Sequence, residues 1–111
     1  MSDRIKRVNQ LIKEKVAEIL ERELSFGRDM LVTIQNVDTS RDLRYAKVGI
    51  SVMPFEKSEE VLKILKKQNS YIQKELGKAI RLKFIPKIEF EIDKGEKKAS
   101  RVEEILRGIG K

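Results

Sequence analysis

The sequence predicts a two-layer α+β domain in which helices cover one face of a three-stranded sheet. Three observations carry that expectation. Two long segments repeat apolar residues at helical spacing, three short segments alternate polar with apolar, and the segments run in the order helix, strand, strand, helix, strand. A chain of 111 residues is of single-domain size and can bury one core.

Ile5, Val8, Ile12, Val16, Ile19 and Leu20 fall on one face at steps of mostly three and four, which predicts an amphipathic helix over 3–24 with Ser2 as N-cap. Gly27 suits a left-handed residue at its end. Val32 and Ile34 alternate with Thr33 and Gln35, and Ala46, Val48, Ile50 and Val52 alternate with Tyr45, Lys47, Gly49 and Ser51. Two strands follow from this, joined by the turn-rich NVDTSRDLR as a long hairpin loop.

Pro54 stops the second strand, and Ser58 before Glu59 and Glu60 reads as the cap and acidic first turn of a helix running towards Arg81. Its apolar stripe is Leu62, Leu65, Ile72, Leu76 and Ile80. Gln68, Asn69 and Ser70 interrupt that stripe with side chains that compete for backbone hydrogen bonds, so a bend is expected there. Pro86 opens a last strand carrying Ile88, Phe90 and Ile92, and Asp93 reads as a turn residue at its end. Ser100 and Glu103 match a capping box for a short helix with Val102, Ile105, Leu106 and Ile109 on one side. The expected organisation is a domain over 1–93 and an extension over 94–111, with Ile5, Ile12, Leu20, Val48, Ile50, Leu76, Phe90 and Ile92 in the core.

The chain has neither Cys nor His, which excludes disulfides, thiolate or imidazole zinc sites and every nucleophilic triad that needs them. The charged N-terminal segment has no signal-peptide apolar region and no bilayer-length apolar run. A cytoplasmic, monomeric protein without a membrane partner is expected.

The charge is concentrated in residues 63 to 87. Lys63, Lys66, Lys67, Lys74, Lys78, Arg81, Lys83 and Lys87 face one acid, Glu75, an excess of seven that equals the net charge of +7 of the whole chain. At ~100° per residue, Lys63, Lys67, Lys74, Lys78 and Arg81 fall opposite the apolar stripe of a continuous helix, with Tyr71 beside them. Such a face can simply be solvated, as the mixed outer face of the first helix must be. The uniform sign instead favours a polyanion.

The motifs narrow the reading. RV (Arg7, Val8), ILERE followed by Leu24, VTI at 32–34, DLRYAKV, IQKELGKAIRLKFIP and IEFEID occur in an order and spacing that resembles the ribosome-binding factor A family, over roughly residues 4 to 93. The resemblance implies a type II KH-like fold, α-β-β-α(bent)-β. It implies a non-catalytic assembly factor for ribosome biogenesis that binds the free small ribosomal subunit and its rRNA during late maturation and pre-rRNA processing. An assembly GTPase would release it, and no cofactor is implied. RNA contacts are then expected from Lys63, Lys67, Lys74, Lys78, Arg81 and Lys83, with Arg41, Arg44 and Lys47 of the hairpin. Ser40 and Asp42 are read as turn formers.

The chain departs from the family in three places. It has no GxxG loop, the device by which KH domains grip four nucleotides. Gln68, Asn69 and Ser70 stand where the family usually carries an Ala-x-Gly bend, and Phe26 and Gly27 stand where it usually carries Asp-Pro. Two other function classes compete. The C-terminal helix VEEILRGI could dock on a protein partner, or Asp38, Asp42, Glu89, Glu91 and Asp93 could hold magnesium for a nuclease. Glu89 and Glu91 share an exposed face without a pocket, which argues against the nuclease.

Overall fold

A computed structural model describes residues 3–24, 26 and 29–93. The capping box at Ser100 and Glu103, the apolar stripe of the C-terminal helix, the Ser2 cap and the Gly27 turn lie outside the described residues. Helix α1 (Asp3–Glu23) buries Ile5, Val8, Ile12, Val16, Ile19 and Leu20, the stripe its periodicity defines. It packs on the first strand and on the third helix.

Strand β1 (Leu31–Thr39) pairs antiparallel with β2 (Tyr45–Met53), and the register slips between Ile34 and Asn36, leaving Gln35 as a bulge. The bulge changes which residues face inward. Val32 and Ile34 point to the core before it, and Val37 and Thr39 after it. The expected loop over 36–44 therefore shrinks to Ser40–Arg44, because the strand continues through Asn36 and Asp38 with its parity shifted by one.

A short 3₁₀ turn (Phe55–Lys57) follows Pro54 and leads into α2 (Ser58–Lys67). Ser58 does not cap this helix. Lys57 N–H already bonds Pro54 O at 3.0 Å, so the chain enters with helical dihedrals. Ser58 lies inside the first turn (φ −56°, ψ −45°), buried, with no hydrogen-bond partner for its Oγ among the described residues.

The next helix, α3 (Asn69–Ala79), is separated from α2 by a single residue, Gln68, which departs from helical geometry (φ −94°, ψ 6°). Asn69 Oδ1 takes no backbone N–H at the bend, being buried without a hydrogen-bond partner among the described residues. Backbone bonds continue on either side, from Gln68 N–H to Ile64 O and from Ile72 N–H to Gln68 O, each 3.0 Å. The bend sets α2 over β2 and the last strand while α3 reaches α1.

Strand β3 (Lys87–Ile92) lies parallel to β2, so the sheet order is β1-β2-β3 and the α2–α3 pair forms the crossover a parallel connection needs. Ala46, Val48, Ile50 and Val52 of central β2 meet Val61, Leu65, Ile72, Leu76 and Phe90 in one core. Burying each Leu or Ile of this set contributes ~1.5–3 kcal/mol. Among the described residues no helix is long and apolar enough to cross a membrane.

Candidate nucleic-acid interface

The bend at Gln68 changes how the basic side chains are arranged. They do not line one helix. Lys63 and Lys67 sit four residues apart on α2, Lys74 and Lys78 four apart on α3, and Arg81 just beyond α3, all exposed. Among the described residues, no carboxylate pairs with Lys63, Lys67, Lys74 or Arg81. Lys78 differs, since its Nζ lies 3.1 Å from Oε2 of Glu75, whose side chain is only 17% exposed. The single acid of the segment is thus committed to one lysine.

A second group of cations assembles from three distant stretches of chain. A cleft of about 720 Å³ has Arg4 of α1, Arg41 and Arg44 of the β1–β2 loop, and Lys83 and Phe84 of the 80–86 segment in its walls. Phe84 is 74% exposed, and Lys83 Nζ stands 5.8 Å from its ring centroid.

Hydrogen bonds hold the walls. Tyr45 N–H donates to Ser40 Oγ at 3.1 Å and Ser40 N–H to Tyr45 O at 2.8 Å. Leu43 adopts a left-handed conformation (φ 61°), which turns the loop tightly enough for its N–H to reach Ser40 O at 2.9 Å. Ser40 Oγ donates to Asp42 Oδ1 at 2.6 Å and the Arg44 N–H donates to the same oxygen at 3.1 Å. These bonds hold the Asp42 carboxyl below its ordinary range, the Ser40 hydroxyl first. Across the cleft, Gln73 of α3 donates from Nε2 to Pro86 O and accepts at Oε1 from Ile88 N–H, both 2.9 Å. That pair of hydrogen bonds fixes the end of the 80–86 segment against α3.

Lys47 belongs to neither group. It projects from the sheet face opposite Ala46 and Val48, and its register partners are Asp38 on β1 and Glu89 on β3. Its charge is offset by acids on both sides. Asp93 is more than a turn residue, because its carboxylate accepts from Asn36 at 2.6 Å. Among the described residues no group of three or more carboxylates converges to hold a metal ion. Periodicity did not pick out Arg4 or Phe84 as part of a site. The signal available for Phe84 was an aromatic interleaved with Arg81, Lys83 and Lys87.

Comparison with known proteins gives a consistent answer. The family model for ribosome-binding factor A matches residues 4–106. A ribosome-binding factor A from Desulforamulus reducens is 37% identical over 110 residues, covering 98% of this chain and 92% of that protein. Among solved structures, a Thermotoga maritima protein determined in solution superposes with a TM-score of 0.70 at 30% identity, covering 86% of this chain and 92% of its own. A Thermus thermophilus ribosome binding factor A, fitted as a homology model into a cryo-EM map of its complex with the 30S particle, superposes with a TM-score of 0.61 at 20% identity, covering 83% and 93%.

Proposed function

The chain belongs to the ribosome-binding factor A family, and on that premise we propose that it serves small-subunit assembly by holding rRNA in one maturation state through the cations of α2, α3 and the β1–β2 loop. The related Thermus protein in complex with the 30S particle supports the small subunit as partner. The observation that carries the reading is the set of exposed, same-sign charges Lys63, Lys67 and Lys74 on two helices, with no carboxylate partner among the described residues, together with a cleft lined by Arg4, Arg41, Arg44 and Lys83. Each phosphate such a cation neutralises releases a condensed counterion, so affinity follows salt concentration.

A non-catalytic factor works by preference. It shifts the subunit between conformations only by binding one more tightly than the other. A tenfold preference for small subunits carrying unprocessed rRNA corresponds to ~1.4 kcal/mol. Equilibrium binding to mature and precursor small subunits tests this. Tighter binding to the precursor supports the role in late maturation, and equal binding contradicts it.

A further inference from the structure

The cleft between α1, the β1–β2 loop and the 80–86 segment has the chemistry of a nucleotide subsite. We propose that it receives one unstacked nucleotide of single-stranded RNA, with the base against Phe84 and the flanking phosphates on Arg4, Arg41 and Arg44. The inference rests on the rRNA-binding reading and names how part of that contact is made.

Three features of the cleft point to a nucleotide. The first is the ring: Phe84 leaves most of its apolar surface in water, well beyond Leu82 at 36% exposed, whereas Ile80 and Ile85 of the same segment turn inward. The second is charge. Arg4, Arg41, Arg44 and Lys83 outnumber the one acid of the lining, Asp42, whose Oδ1 accepts two hydrogen bonds and whose Oδ2 lies 3.9 Å from Arg44 Nε, so positive charge remains in excess beyond that pair. The third is form. A volume of about 720 Å³ accommodates a base with its ribose, and the Gln73 bonds to Pro86 and Ile88, with Lys87 N–H on Arg44 O at 2.8 Å, frame it before any ligand arrives.

Cations alone would suit any polyanion. An exposed π-face among them selects a splayed base, because bases inside an A-form duplex are already stacked on one another.

The test uses the full chain and a short single-stranded RNA carrying 2-aminopurine, whose fluorescence is quenched on stacking. Wild type and Phe84→Tyr should both quench it. Phe84→Ala should lose the quenching and ~5- to 150-fold of affinity with the salt dependence unchanged. Arg44→Gln should flatten the salt dependence and keep the quenching. Phe84 is mostly exposed, so its removal leaves the core intact. Unchanged quenching and affinity in Phe84→Ala, or no binding of the oligonucleotide at low salt, would overturn the proposal. So would a Phe84→Ala defect confined to intact small subunits, which would assign the cleft to a protein. Failure of the assembly-factor reading itself would look different: wild type would not be retained on small subunits at all.

Discussion

Asn36 Nδ2 donates to Asp93 Oδ2 at 2.6 Å, across the open face of the sheet and beside Gly49, where an added Cβ would stand 2.5 Å from Asn36 Oδ1. The bond ties β1 to the residue after β3 over the central strand, and Asp93 N–H anchors the same corner on Ile50 O at 2.7 Å. Gly49 is required there by space.

Gly49→Ala should therefore lower stability by ~1–3 kcal/mol in urea unfolding, since the displaced Asn36 amide loses its partner. The same change in an Asn36→Ala background should cost less. Additive effects of the two substitutions would show that the side chains do not compete for the space.

Gln73→Ala strips two backbone groups of their partner at once. A loss of ~1–3 kcal/mol is expected, with faster amide exchange at Ile88. Retained protection of the Ile88 amide would mean that the clamp is dispensable.

The β1–β2 loop should respond to acid. Asp42 has its folded-state pKa lowered from the ordinary value of 3.8, so its contribution is present above the unfolded pKa and fades as pH falls through the folded one. The Arg44 amide resonance should move in that acid range, and Asp42→Asn should abolish the movement. Because Asp42 is exposed, the effect concerns loop geometry far more than global stability.

Glu75→Gln should tighten RNA binding. The change releases Lys78 from its 3.1 Å ion pair and adds one available cation, steepening the log-log salt slope by ~0.7–0.9. An unchanged slope would place Lys78 outside the contact.

The core of this fold was legible because its signals are local. The stripe from Ile5 to Leu20 and the alternation of β2 each state which face is buried, and the structure buries those faces. The alternation of β1 breaks at one bulged residue, Gln35, which reverses the parity and leaves Val37 and Thr39 without the pattern of the strand before it. Ser58 has the type and position of a cap, and neither says anything of a 3₁₀ turn delivering the chain already helical.

The candidate interface was half legible. Charge excess along 63–87 is a one-dimensional quantity, and it led to α2 and α3. A single helical wheel nonetheless ran the cations through a bend that separates them into pairs. The cleft joins Arg4, Arg44 and Phe84, residues some forty apart in sequence, and the open face joins Asn36 to Asp93. Neither juxtaposition has a periodic signature, and the parallel placement of β3 beside β2 that creates both is a tertiary fact.

The most direct test of the account is co-sedimentation with isolated small subunits, large subunits and mature ribosomes over a salt series, for wild type and for the variant with Lys63, Lys67, Lys74 and Arg81 changed to Gln. The account predicts selective retention on small subunits that weakens with salt, with the variant losing retention and about three units of log-log slope. Equal retention on every particle, or selective retention that the four substitutions leave untouched, would contradict it.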